Sequence, residues 1–311
     1  MEKKYAIGAD IGGSHISTVL VEIETGTVFA ESFAEIKVDN QASATAIFEN
    51  WAKAIRTTLQ YANNKPLTGI GFAMPGPFDY KNGVALLKNV AKYESLYGLN
   101  VGDELRKILG LSDSITFRYI NDALGFAIGE CWIGSAAKYK NVVSITLGTG
   151  FGSAFLRNGV PVLEGDHVPA SGYLYNIPYK SGIADEYFST RWFLNEYKAR
   201  TGLVCKGVKD LVDIAATEKL ALELFEEFGA ELAGFMVPIL AKFDAECLVI
   251  GGNISGAYHL FGLTFQNVLN SNELKLDVTI SGLKESAAMV GSARLLDEIF
   301  WNNIEPLVAK I

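Results

Sequence analysis

Apolar positions along the chain follow two alternating rhythms. Short apolar runs at Val19-Leu20-Val21, Ile70-Gly71-Phe72-Ala73, Ile115 to Ile120, Val142 to Leu147 and Cys247 to Ile250 have the length and residue types of buried strands. Between them the spacing becomes helical. Ile47, Trp51, Ile55 and Leu59 fall at intervals of four and set one apolar stripe on a helix. Leu224, Phe228, Leu232 and Phe235 do the same, and Pro238 predicts a bend near the end of that helix. Val101, Leu105 and Ile108 mark a shorter helix closed by Gly110. This alternation predicts an α/β fold. A last periodic segment, roughly Ser286 to Phe300, is long enough to cross back over the first half.

One local pattern occurs twice. Asp10-Ile11-Gly12-Gly13-Ser14 is followed by an extended run to Ile23 and a turn at Thr25-Gly26. Leu147-Gly148-Thr149-Gly150-Phe151-Gly152 is followed by Ser153 to Leu156 and a turn at Asn158-Gly159. Each reads as strand, glycine turn, strand, second turn. The repeat predicts a duplicated domain facing itself across a cleft; the plainer alternative is two ordinary hairpins. Glycine admits positive φ and lets backbone N–H groups approach an anion without a Cβ in the way. The spacing is neither the dinucleotide G-x-G-x-x-G nor a Walker loop. Two turns with a hydroxyl beside glycine, Ser14 and Thr149, suit a polyphosphate held from both sides. Asp10 beside phosphate makes sense with Mg²⁺ between them, which needs few protein ligands; its other reading is a cap on the turn.

Composition narrows the field. The chain has 311 residues, 49% hydrophobic and 20% charged, enough for two globular domains. Its 27 basic and 35 acidic side chains give a net charge of −8, which disfavours a protein that tracks nucleic-acid phosphates. No apolar run reaches the roughly 18–20 residues of a membrane span. The start, Met1-Glu2-Lys3-Lys4, lacks the apolar region of a secretory leader. Cys131, Cys205 and Cys247 stand apart and form no disulfide framework, so the expected address is a reducing cytoplasm.

The glycine turns, together with Pro75-Gly76-Pro77-Phe78-Asp79, Asn121-Asp122-Ala123 and Gly251-Gly252-Asn253, resemble the motifs of ROK-family sugar kinases. They occur in that family's order across nearly the whole chain. The family is glucokinase-like and lies in the actin-like ATPase superfamily. The resemblance implies two ribonuclease H-like α/β domains around a central cleft that closes on substrate. The first spans 1–121 and is completed by a C-terminal helix at about 297–311; the larger second spans 122–296. It implies ATP with Mg²⁺, held by Asp10, Gly12, Gly13, Ser14, Gly148, Thr149 and Gly150, with Gly251 and Gly252 approaching adenosine. Asn253 stands where the family commonly has a third glycine.

Asn121-Asp122 ends a strand and opens a helix. Taken alone, Asp122 reads as a helix cap. The resemblance makes it the base that takes a proton from the sugar hydroxyl, kept ionised by the helix N-terminus. Asn121 beside it both donates and accepts, as an alcohol substrate requires. Asn89 resembles a sugar-facing asparagine, and reads equally as a turn residue.

Two family features are altered. The zinc motif of a histidine followed by C-x-C-G-x-x-G-C is missing, His167 has no thiol partners, and no structural zinc is expected. Where glucokinases carry A-G-E-I-G-H, this chain has Ser171-Gly172-Tyr173-Leu174-Tyr175-Asn176, so that Tyr173 and Asn176 replace the sugar-binding Glu and His. A further family Glu falls on Asp185, or with a slip of one on Glu186. Tyr173, Tyr175, Tyr179 and Tyr187 suggest rings stacking on a glycoside or disaccharide, or a packed aromatic loop. The expected function is ATP-dependent phosphorylation of a hexose, amino sugar or glucoside, acting without nucleic acid or membrane; dimers are common in the family. A non-catalytic sugar sensor is the alternative. A repressor of the family would carry a helix-turn-helix ahead of the first motif, which here begins at Asp10.

Overall fold

The computed structural model describes residues 3–62, 65–90 and 92–311. They form two compact units, the first running to Ala137 and resuming at Glu285–Ile311, the second spanning Lys138–Lys284.

In the first unit, strands β1 (Tyr5–Ile11), β2 (His15–Glu22) and β3 (Val28–Lys37) form an antiparallel meander. Strand β4 (Leu67–Met74) pairs parallel to β1, and β5 (Thr116–Asn121) pairs parallel to β4. The sheet order is β3-β2-β1-β4-β5. In the second unit, β6 (Asn141–Leu147), β7 (Phe151–Arg157) and β8 (Val160–Pro161) repeat the meander. Strands β9 (Cys247–Gly251) and β10 (Asp277–Ile280) then add in parallel beside β6, giving β8-β7-β6-β9-β10. Order and directions are the same in both sheets. The repeated glycine pattern is therefore the opening of a repeated topology rather than two unrelated hairpins.

The apolar stripes land where their periods put them. Helix α1 (Ala44–Leu59) buries Ile47, Trp51 and Ile55 completely and is capped by Ser43, whose hydroxyl accepts the Ala46 N–H. Helix α2 (Val101–Leu109) ends at Gly110 in the left-handed conformation, φ 65°. Helix α3 (Asp122–Trp132) follows β5 directly. In the second unit, α4 (Thr190–Thr201), α5 (Val208–Ala215), α6 (Lys219–Phe243) and α7 (Tyr258–Ser271) enclose an aromatic core around Phe193, Phe225, Phe228 and Phe261. Helix α6 continues through Pro238 to Phe243.

The C-terminal segment differs from its sequence reading. Ser286 to Phe300 is two helices, α8 (Ser286–Arg294) and α9 (Glu298–Val308), separated where Asp297 caps the second. Contacts divide the chain after Ala137 and before Glu285, whereas the sequence put the divisions at 121/122 and 296/297. The reason is backbone proximity. A Cβ on Gly8 would lie 1.8 Å from the Met289 carbonyl oxygen, and one on Gly71 would lie 1.8 Å from that of Ser292. A Cβ on Gly129 would lie 2.1 Å from the Ala287 oxygen, and one on Gly291 1.8 Å from the Gly125 oxygen. Helix α8 thus lies against β1, β4 and α3 with little more than alanine side chains between, and both helices belong with the first sheet.

Gly71→Ala has no flexible neighbour to displace, so it should lower the urea midpoint by the equivalent of about 2–3 kcal/mol. Gly234→Ala, in an exposed turn of α6 where an added Cβ meets nothing within 4 Å, should have the opposite sign.

Candidate active site

Parallel pairing decides what comes together in the first unit. Asp10 lies opposite Ala73, Ala73 opposite Ile120, and Met74 opposite Asn121. The carboxyl ends of β1, β4 and β5 therefore share one edge, the edge where α/β sheets bind ligands. Asp10 is the penultimate residue of β1, and Asn121 and Asp122 join β5 to α3.

Asn121 is buried, with both ends of its amide bonded. Its Oδ1 accepts the Ala123 N–H at 3.1 Å, capping α3, and its Nδ2 donates to the Tyr80 hydroxyl at 3.3 Å. Tyr80 in turn donates to the Met74 carbonyl at 3.1 Å. The chain of bonds fixes the turn that carries Asp122. Asp122 is an exposed residue whose Oδ1 also accepts the Ala123 N–H, at 2.9 Å. The helix N-terminus was expected to keep this carboxylate ionised. Here desolvation by the surrounding protein wins and holds its pKa above the ordinary value, against the pull of the Ala123 N–H and the Lys92 ammonium. The result is a more basic carboxylate.

Asp10 is pushed up to about 7, first by burial and then by the neighbouring carboxylates of Asp122 and Glu285. A hard cation fits such a carboxyl, because oxygen ligands and an unbalanced negative charge are what Mg²⁺ takes. The turn beyond it, Gly12-Gly13-Ser14, leaves the Gly13 and Ser14 N–H groups without a backbone acceptor among the described residues. A Cβ at Gly13 would meet nothing within 4 Å, so the turn is open on that side. Asn89 is exposed in the left-handed region, φ 59°.

The second unit carries the other turn. Thr149 and Gly150 are exposed, and neither N–H has a backbone acceptor among the described residues. None of Gly12, Gly13, Gly148 or Gly150 has a positive φ. A Cβ would crowd the His15 ring at Gly12 (2.7 Å) and Asp185 Oδ1 at Gly150 (3.0 Å), while Gly13 and Gly148 face open space. Gly252 combines φ 78° with a would-be Cβ 2.4 Å from the Leu147 carbonyl oxygen. Gly251 pairs with Thr146, so the end of β9 lies beside the second glycine turn. Next to it is a cavity of about 540 Å³ whose lining includes Thr190, Val208, Lys209, Asn253, Ile254 and Gly256. Thr190 joins cavity and turn, donating both its N–H and its hydroxyl to the Gly148 carbonyl at 2.8 and 3.0 Å.

Asp185 is already engaged. Its Oδ1 accepts the Phe151 N–H at 2.7 Å and its Oδ2 pairs with Arg191, bracing the second turn. Glu186 accepts the Ile183 N–H at 3.2 Å. Tyr173 and Tyr175 sit with rings 5.6 Å apart, Tyr175 and Asn176 being exposed. Tyr179 and Tyr187 instead pack together, Tyr179 also against Phe188 and Phe235 with its hydroxyl on Glu231. The exposed His167 bonds the Lys242 carbonyl. Sequence reasoning missed Tyr80, Lys92, Thr190 and Lys209, which belong to no spaced motif.

Two sheets of one order and one set of strand directions, each opening on a glycine turn, define the class of duplicated α/β folds. The chain belongs to the ROK family, whose model matches residues 6–299. It is 26% identical to a glucokinase of Thermotoga maritima over 96% of this chain and 99% of that one. It is 25% identical to an N-acetyl-D-glucosamine kinase of Haemophilus influenzae over 82% and 86%. A xylose repressor of Caldicellulosiruptor bescii is 23% identical over 92% of this chain and 76% of its own length. The fold matches the crystal structure of a ROK family glucokinase from Streptomyces griseus in complex with glucose and AMPPNP, with a TM-score of 0.73 and 20% identity over 94% and 98%. No helix among the described residues is long and apolar enough to cross a membrane.

Asp10→Asn tests the electrostatic strain. The folded Asp10 keeps its proton up to about pH 7, while an unfolded aspartate loses it near 4, so ionisation costs the fold stability as pH rises through that window. The asparagine variant should melt higher than the parent, the gap growing between about pH 4 and 7 and levelling above. Gly252→Ala should lower the melting temperature, because a Cβ there meets the Leu147 carbonyl and the left-handed turn must shift.

Proposed function

We propose that this protein transfers the γ-phosphoryl group of ATP to a hydroxyl of a sugar. The observation that carries the reading is the convergence of Asp10, Asn121 and Asp122 on one sheet edge, with a carboxylate made more basic than usual at the helix start. In this reading Asp122 accepts the proton of the attacking hydroxyl as its oxygen bonds the γ-phosphorus and ADP leaves. Asn121, held by Tyr80 and by its cap on α3, fixes where that carboxylate stands. Asp10 is the ligand that suits Mg²⁺, and the metal supplies charge neutralisation on the phosphates when bound. The N–H groups at Gly13, Ser14, Thr149 and Gly150 are the donors for phosphate oxygens. The cavity beside Gly252, with Lys209 and Asn253 in its wall, suits the nucleoside.

The acceptor is a hexose, an amino sugar or a glucoside. Glucokinase and N-acetyl-D-glucosamine kinase among the relatives support the first two. The paired rings of Tyr173 and the exposed Tyr175 support a ring-stacked glycoside, with Asn89 and Asn176 as hydroxyl partners. Asp185 takes a supporting part, since both its oxygens already have partners. Three cysteines that form no disulfide among the described residues suit a reducing cytoplasm, and a homodimer accords with the family resemblance. A sugar sensor is the second reading, favoured by the repressor among the relatives.

ADP release from Mg²⁺-ATP should depend on one member of a panel of hexoses, N-acetylated amino sugars, β-glucosides and disaccharides. Asp122→Ala, checked to be folded, should lose at least about a hundredfold of that rate. The rate should fall as pH drops through the raised pKa of Asp122, which must be ionised to accept the proton. Sugar binding without turnover across the panel would point to the sensor, and undiminished turnover in the variant would remove Asp122 from its role.

A further inference from the structure

The three carbonyls of the first glycine turn are all held by protein donors. The Gly12 oxygen accepts the Tyr93 hydroxyl at 2.7 Å, the Gly13 oxygen accepts the Asn40 side-chain amide, and the Ser14 oxygen accepts the Val38 N–H at 2.8 Å. A trans peptide is planar, with its C=O and the next residue's N–H pointing opposite ways. Holding the Gly12 oxygen therefore aims the Gly13 N–H the opposite way, and holding the Gly13 oxygen does the same for the Ser14 N–H. These are the two donors left without a backbone acceptor.

The two tethers belong to one device. The Tyr93 N–H donates to the Asn40 carbonyl at 2.8 Å, so the residue that holds Gly12 also holds the residue that holds Gly13. Tyr93 is completely buried, its ring edge-on to Trp51 at 5.6 Å, and its backbone is left-handed at φ 56°, ψ 24°. That conformation is costly for an aromatic residue and persists only where surrounding contacts fix it. Burial and the Asp10 carboxylate push the phenol up to about 12, so it stays a donor at neutral pH.

We propose that Tyr93, acting with Asn40, is a positioning residue that orients the peptide planes of the first glycine turn so that the Gly13 and Ser14 N–H groups receive phosphate. Tyr93 does not touch the reacting atoms. It lies in the same loop as Asn89 and Lys92, so the segment placed to meet the acceptor also sets the aim of the phosphate donors. The inference rests on the kinase reading only in taking the phosphate to be that of ATP.

Tyr93→Phe removes one hydroxyl and leaves the ring packing in place. The Gly12 carbonyl then lacks its donor and the plane is free to turn. The Kd for Mg²⁺-ATP, measured by calorimetry, should rise about tenfold, with the KM for the sugar within about twofold of the parent. Amide hydrogen exchange at Gly13 and Ser14 should change in the same variant. Asn40→Ala should act alike, and the double variant should be less than additive, because one network is lost in either case. Phe48→Leu, which loosens the same helix without reaching the turn, should lower the melting temperature and leave the nucleotide Kd unchanged. An unchanged Kd in Tyr93→Phe, with or without altered exchange, would overturn the proposal, as would a Phe48→Leu variant that weakens nucleotide equally. If the parent binds nucleotide yet phosphorylates no sugar, the kinase reading fails while these binding and exchange measurements still decide the role of Tyr93.

Discussion

Backbone-to-backbone contact between α8 and the first sheet is the constraint on which the first unit depends. Glycines 8 and 71 on the strands and 125, 129 and 291 on the helices let those elements approach with little more than alanine side chains between them. Helix α3 can then lie against α8 while its first residue stays at the end of β5. Ser292 adds a bond from α8 to the Ala9 carbonyl, one residue before Asp10. The position of Asp122 relative to Asp10 is thus set by packing some distance from either carboxyl. A helix of larger residues in place of α8 would move α3 outward and carry the carboxylate with it.

That closeness creates an electrostatic problem the fold does not relieve internally. Asp122 lies near enough to raise the cost of ionising Asp10, and Glu285 adds a further negative charge. Lys92 is the cation that acts on Asp122. Stability is given up at this edge, and functional sites are where such strain is retained. The glycine turns follow a related logic. Their carbonyls or flanking amides are bound to protein, by Tyr93, Asn40 and Val38 in one unit and by Thr190 and Asp185 in the other. The remaining N–H groups are left for something from outside.

Much of this was legible in the chain. Strand and helix periods located the sheets and the faces of α1, α2 and α6 because burial on one face enforces a period that short windows reveal. The motif spacing singled out Asp10, Asn121 and Asp122, since each sits at a strand end where a turn must begin. Spacing carried no information on what a side chain would meet. Asp185 reads as a free carboxylate in the sequence, and in the fold both its oxygens are taken. Lys209 reads as solvated charge and lines a cavity. Tyr179 and Tyr187 looked equivalent to Tyr173 and Tyr175 until packing drew them together beside Phe188 and Phe235.

The sequence by itself determined the α/β class, the duplication and the glycine turns, because these depend on local period and on residues adjacent in the chain. The tertiary structure alone decided which unit owns α3 and α8, since glycines far apart in sequence had to meet before the contact existed. It also decided how basic the Asp122 carboxylate is. A helix N-terminus favours the ionised form through its own first amides, a local effect that sequence reports. Desolvation depends on everything else nearby, and here it is the larger of the two.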